Sequence, residues 1–280
     1  MRIDAHHHLW TYSDAEYPWM RDEPGSDLKR PLRRDYGPAE LAAVTGEVGV
    51  NGTVVVQARQ SIEETDWLLS LSEEAELIRG VVGWAPLAAD DVGDVLDRWA
   101  GRPALKGVRH VVQDEPDGFL DDAALNRGVA ELHAKGLVYD VLIYPRQLAE
   151  ATRFVDRHPE TAFVLDHAAK PRIGESFDAE WASLITKLAE RPHVACKLSG
   201  LATEVRLADW DVDLLRPYVD VLLDAFGPDR LLWGSDWPVA LMATGYGRWL
   251  RTCEALLSGL SESEREAVFG GTARRAYSLA

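Results

Sequence analysis

The stretch IDAHHHLW, residues 3–10, ends a short apolar run in three consecutive histidines. In a β-strand, side chains alternate between faces, which puts Asp4, His6 and His8 on one face and Ala5 and His7 on the other. Two imidazoles spaced H-x-H and aimed at a common point can ligate a divalent ion, or polarise a carbonyl and position a water. His7, facing away, reads as structural. Other chemically able residues follow short apolar runs further along: Gln57, Trp84, Arg109, then Asp140, Tyr144 and Arg146. After them come Asp166, His167 and Lys170 in FVLDHAAKP, Lys197 and Ser199 in ACKLSG, and Ser235 and Asp236 in LLWGSDWP. A lone aspartate at a strand end is commonly a helix cap. A polar or charged residue ending nearly every run is a pattern that calls for a shared site.

The elements that must position these residues are legible from periodicity. Candidate strands are Arg2–His8, Thr53–Gln57, Gly80–Trp84, Leu105–Val111, Leu137–Ile143, Ala162–His167, His193–Leu198 and Arg230–Gly234. Between them lie amphipathic helical stretches with their own start and stop signals. Ser61 with Glu64, and Ser261 with Glu264, form capping boxes. Gly136 stops the stretch carrying Leu125, Val129 and Leu132. Strands alternating with helices predict a parallel sheet. Eight such units in 280 residues predict one (β/α)8 barrel spanning residues 1–280, with its site at the C-terminal strand ends. The first strand-turn carries histidines where a doubly wound nucleotide fold would carry a glycine-rich phosphate loop.

Two connections are long enough to shape a pocket. The first, about Leu9 to Pro38, holds Trp10, Tyr12, Tyr17 and Trp19, which either wall a pocket as a lid or pack the loop down. The second is SGLATEVRLADWDVDLL after the seventh strand. Lys106 and His110 fall on the helix-facing side of their strand, and His133, His158 and His193 read as structural. A net charge of −16 argues against nucleic acid or an anionic membrane surface as partner. No apolar run approaches the ~18 residues of a membrane span, and the two cysteines, Cys196 and Cys253, suggest no disulfide framework. The expectation is a cytoplasmic protein acting on a small molecule, with homo-oligomers left open.

IDAHHHLW, LKGVRHVVQDEP, VLDHAAKP, CKLSGL, LLWGSDWPV and VFGGTARRAY, taken in order, resemble the amidohydrolase superfamily. The resemblance is to the branch that contains L-fuconolactonase-like sugar lactonases and 2-pyrone-4,6-dicarboxylate lactonase. It runs from Arg2 to Tyr277 and implies a (β/α)8 barrel that hydrolyses lactones. It implies His6, His8, His167 and Asp236 as the catalytic set and Arg109 as a substrate contact. Strand five, LVYDVLIY, has no histidine, so the resemblance does not extend to a binuclear metal site. The family's usual DHLGKP is DHAAKP here, and its GGNAARFY is GGTARRAY.

Opening a lactone needs an activated water and a polarised carbonyl. Asp236 is the candidate base. His6, His8, His167 and Asp236 offer three nitrogens and one oxygen, a set suited to one divalent ion, zinc first. The metal-free alternative has the histidines polarising the carbonyl by hydrogen bonds while Asp236 activates water. Gln57, Arg109, Tyr144, Arg146 and Lys170, with Trp19 and Trp84 as platforms, are the candidate substrate contacts. The acidic segment after Arg109 suits a neutral polyhydroxyl ligand, such as an L-fucono- or L-rhamnonolactone, better than a dicarboxylate. Decarboxylation by similar histidines, another hydrolysis of the same superfamily, or sugar or metal binding without catalysis are the competing readings.

Overall fold

The computed structural model describes residues 1–280 except 23, 25, 175 and 206–209. The strands are β1 (Ile3–His7), β2 (Gly52–Val56), β3 (Ile78–Gly83), β4 (Leu105–His110), β5 (Val138–Val141), β6 (Phe163–Leu165), β7 (Val194–Leu198) and β8 (Leu231–Trp233). All neighbours pair in parallel in the order β1 to β8. The ring closes where the amide of Asp236 donates to the carbonyl of His6 (2.8 Å) and the amide of His8 to the carbonyl of Trp237 (2.7 Å). This is the predicted (β/α)8 barrel. Most strands stop short of their expected C-terminal limits, because the chain turns out of the sheet where the polar residues begin. The expected Ala162–His167 strand, for one, ends at Leu165.

Helices α1 (Pro38–Gly46), α2 (Ile62–Glu74), α3 (Val92–Asp97), α4 (Ala123–Ala134), α5 (Leu148–Arg157), α6 (Ala179–Ala189), α7 (Val212–Phe226) and α8 (Tyr246–Leu256) fill the connections. Two short helices, α9 (Glu262–Glu266) and α10 (Thr272–Ala276), lead to the C-terminus. The Ser261–Glu264 box is complete, with both reciprocal bonds present. At α2 only half forms. Ser61 Oγ accepts from the Glu64 amide, but the Glu64 carboxylate turns to the amides of Ala58 and Arg59 and to the Tyr17 hydroxyl.

The alternation expected of β1 is broken. Ile3 and Ala5 point into the barrel, where they join Val54, Val56, Val82, Val138, Val164 and Leu232 in an inner cluster. Pairing with β2 then skips a residue between Asp4 and His7, a β-bulge, so that two consecutive residues, Ala5 and His6, both face inward. Asp4 consequently does not share a face with His6 and His8. It points outward and accepts from the Ser235 amide (2.8 Å), the Ser235 hydroxyl (2.6 Å) and the hydroxyl of Tyr246 on α8 (2.9 Å). These bonds tie β1 to the turn that carries Asp236.

The floor of the barrel is closed by the chain's end. Ala273, Tyr277 and Leu279 complete the inner cluster, and Lys106 reaches the Ser278 carbonyl at 3.1 Å. The substitutions in GGTARRAY leave Tyr277 in place as the plug. On the outer layer, α4 approaches the β3–α3 loop so closely that a Cβ on Gly128 would lie 1.9 Å from the Leu87 carbonyl oxygen. Because that obstacle is backbone, Gly128→Ala is expected to lower stability by about 3 kcal/mol. Urea midpoints at a constant slope would measure it, and a loss under about 0.5 kcal/mol, the ordinary surface range, would contradict the close packing.

Candidate active site

Three strands and the turn that follows a fourth place one charged side chain each inside the barrel: Arg109 (β4), Asp140 (β5), Asp166 (immediately after β6) and Lys197 (β7), all buried. Lys197 Nζ donates to Asp140 Oδ2 at 2.5 Å and lies 2.9 Å from Asp166 Oδ1. Arg109 Nη1 donates to Asp166 Oδ2 at 3.0 Å, and Nη2 to the Gln57 carbonyl. The Tyr277 hydroxyl rises from the floor to Asp140, at 2.8 and 2.9 Å from its two oxygens. Burial disfavours charge on Asp166, yet Lys197, His6 and Arg109 outweigh it and hold the carboxyl well below its ordinary range. Asp140 is pushed up to about 6 by burial, against the pull of Lys197.

The histidines and Asp236 stand on this layer. His6 Nδ1 lies 3.0 Å from Lys197 Nζ, and His6 Nε2 lies 3.2 Å from His8 Nε2. His8 Nδ1 meets the Val56 carbonyl at 2.8 Å, and His167 Nδ1 meets Ser199 Oγ at 2.8 Å. Asp236 Oδ1 faces the Nε2 atoms of His8, His6 and His167 at 3.5, 3.8 and 3.9 Å. Burial opposes ionisation of Asp236, but His167, His8 and Lys170 more than offset it and lower its pKa. Burial drives His6 well below its ordinary value and His167 to about 4, so both imidazoles are neutral near pH 7.

A metal fits this donor set. One ligand atom each from His6, His167 and Asp236 lies within 4.8 Å of the others. The Nδ1 atoms of His8 and His167 already have partners that would orient a ligating Nε2. His8, the fourth member expected, stands beside that trio rather than within it.

Local backbone explains how the set is delivered. His167, Ala168, Ala169 and Lys170 all have positive φ, from 50° to 57°, a left-handed turn that costs L-residues on the order of 1–2 kcal/mol each. The Trp181 indole holds it by donating to the Ala168 carbonyl at 2.7 Å. The family's glycine in this motif is Ala169 here, buried at φ 57°. His7 packs outward, buried, with neither ring nitrogen hydrogen-bonded.

The remaining candidates fall into separate groups. Gln57 adjoins Arg109, its Nε2 bonded to the Arg109 carbonyl (3.3 Å) and its buried Oε1 without a partner. Tyr144, Arg146 and Lys170 line a cavity of about 640 Å3 between the tops of α5 and α6. Lys170 sits over the Tyr144 ring at 5.4 Å, whereas Arg146 is held by Asp117 and the carbonyls of Gln113 and Glu115. Trp84 donates to His110 Nδ1 (3.3 Å), and His110 pairs with Glu115 at 2.8 Å. In the loop after β1, Trp10, Tyr17 and Tyr36 are packed down, Trp10 stacking at 6.4 Å from His8, while Trp19 stays half-exposed. Within the second long connection, residues 206–209 lie outside the described residues. Sequence reading noticed Asp140, Asp166, Lys197 and Ser199 without giving them roles.

Imidazoles and one carboxylate converging above a charged layer, at the C-terminal ends of parallel strands, define a barrel enzyme whose centre suits water activation. The amidohydrolase family model matches residues 3–279, and the chain belongs to that family. It is 43% identical to an L-fucono-1,5-lactonase of Burkholderia multivorans, over 100% of this chain and 96% of the relative. It is 38% identical to an L-fucono-1,5-lactonase of Burkholderia ambifaria, covering 99% and 96%. A crystal structure of a Burkholderia multivorans amidohydrolase with bound zinc superposes with a TM-score of 0.94 at 42% identity, covering 100% of both chains.

Two consequences can be measured. A Cβ on Gly200, at φ +66°, would lie 2.6 Å from His167 Nδ1, so Gly200→Ala should displace that ring and break its bond to Ser199. We expect kcat/KM to fall about 100-fold with the far-UV spectrum unchanged; full activity would show that His167 need not be held. His7 is pushed by burial from 6.5 to about 3. The unfolded chain therefore takes up a proton in acid that the folded chain refuses. Stability is held above pH 6.5 and falls as pH drops toward 3, by about 3 kcal/mol at pH 4. Urea titrations of His7→Phe should show a correspondingly shallower acid slope, and an unchanged slope would refute the assignment.

Proposed function

We propose that this protein hydrolyses a sugar-acid lactone, an L-fuconolactone or close relative, to the aldonic acid, in the cytoplasm. The observation that carries the reading is the Asp236 carboxylate oxygen ringed by three imidazole Nε2 atoms at 3.5 to 3.9 Å. The 43% identical L-fucono-1,5-lactonase supports the substrate class.

Asp236, ionised near neutrality, takes a proton from water as the oxygen bonds to the lactone carbonyl carbon. It then returns that proton to the ring oxygen as the ring carbon–oxygen bond breaks. His8 is fixed through Nδ1 to the Val56 carbonyl, with its Nε2 3.5 Å from Asp236 Oδ1. His167 is fixed in the same way by Ser199. His6, His167 and Asp236 would hold one divalent ion, zinc by analogy with the zinc-bearing relative, which when bound supplies Lewis acidity toward the carbonyl. Gln57 Oε1, buried and without a partner, would accept from a sugar hydroxyl, and Lys170 would attract the carboxylate of the product.

A specific observation favours a neutral substrate over a dicarboxylate lactone or an aromatic acid. Bidentate carboxylate recognition needs a free guanidinium, and those of Arg109 and Arg146 are committed to Asp166 and Asp117.

The test is proton release against a panel of sugar-acid lactones, before and after chelation. Hydrolysis of an L-sugar lactone, slowed by chelator and restored by zinc, is expected. Asp236→Asn should lower kcat about 1,000-fold while KM changes little. No hydrolysis of any lactone with zinc supplied, or an Asn variant at full rate, would overturn the reading.

A further inference from the structure

The direction of hydrogen bonding through the centre is set at both of its ends. At one end Lys197 Nζ carries only donors and lies 3.0 Å from His6 Nδ1, so that nitrogen accepts. At the other end the Val56 carbonyl has only lone pairs, so His8 Nδ1, 2.8 Å away, carries the proton and His8 Nε2 is bare. Between them the two Nε2 atoms are 3.2 Å apart. A bond there needs one proton, and it must come from His6. Starting from either end, His6 is protonated on Nε2.

That tautomer cannot ligate an ion through Nε2. The alternative tautomer needs an acceptor at Nδ1, and the structure supplies one. Asp166 Oδ1 is buried, 2.9 Å from Lys197 Nζ and 3.3 Å from His6 Nδ1, and its second lone pair can take a further donor. Arg109 Nη1 also approaches His6 Nε2, but at 3.5 Å, the edge of hydrogen bonding, while its 3.0 Å bond goes to Asp166 Oδ2.

We propose that Lys197 is a positioning residue that fixes His6 as the Nε2–H tautomer in the ion-free enzyme, and that a divalent ion enters only when the proton moves to Nδ1, from which it is donated in a hydrogen bond to the Asp166 carboxylate. The ion-free centre is then a donor toward a carbonyl and the ion-bearing centre a Lewis acid, one histidine serving either state. The interpretation rests on the lactonase reading, but the tautomer itself does not.

Long-range proton–nitrogen spectra of chelator-treated, 15N-histidine-labelled protein test it directly, with the His6 ring identified by its absence in His6→Gln. The expected result is a proton on Nε2 without metal and on Nδ1 after one equivalent of zinc. A proton on Nδ1 in the ion-free enzyme, or one that stays on Nε2 while zinc binds the cluster, overturns the proposal. In Lys197→Met the ion-free ring should already be the Nδ1–H form, with zinc bound about 10-fold more tightly in competition with a chelating dye. Unchanged or weaker zinc binding in that folded variant counts against the proposal. Should Lys197→Met not fold, the wild-type spectra decide alone, and they do so even if no lactone is turned over.

Discussion

Everything at the catalytic end of this barrel stands on the ion layer formed by Arg109, Asp140, Asp166 and Lys197. Two carboxylates and two cations taken fully out of water carry a desolvation penalty that is recovered only when the geometry pairs them well. Here they come from β4, β5, β7 and the residue that follows β6, neighbouring elements of the barrel wall that bring the charges together. Removing one partner would leave a buried, uncompensated charge directly beneath His6. The layer is therefore both foundation and constraint: it sets what His6 can accept and where Asp166 can turn.

A second constraint works from outside. Asp4 points away from the site, yet it holds the bulged β1 against the Ser235–Asp236 turn and the hydroxyl on α8. The bulge brings His6 inward immediately after Ala5, and the same bonds register the Asp236 turn against it. Asp4 thus fixes the separation between Asp236 and the imidazoles. The left-handed turn at His167–Lys170 is a comparable device, its backbone cost met by the Trp181 and Ser199 bonds.

Much of this was legible in the sequence. Short apolar runs alternating with capped helical stretches located all eight strands, and the order of H-x-H, D-H and S-D-W-P placed His6, His8, His167 and Asp236 at strand ends. What was not legible has physical causes. Alternation put Asp4 beside His6 because a bulge is dictated by tertiary hydrogen bonds to Ser235 and Tyr246, more than 200 positions away. Ala168 and Ala169 look like helix formers, and only packing drives them to positive φ. Lys197 and Asp140 were visible as polar residues in apolar strands, but their pairing across 57 positions is a property of barrel closure. Arg109 is a substrate contact by resemblance; that its Nη1 and Nη2 bond Asp166 and the Gln57 carbonyl is visible only in the folded barrel.

The central claim is that Asp236 activates a water that attacks the lactone carbonyl, rather than attacking it directly. A single turnover in 18O-labelled water, with enzyme in excess over an L-sugar lactone, tests this most directly. Attack by water puts one labelled oxygen in the product carboxylate and none in the protein. An unlabelled product carboxylate, with the label recovered in the Asp236 side chain, would contradict it.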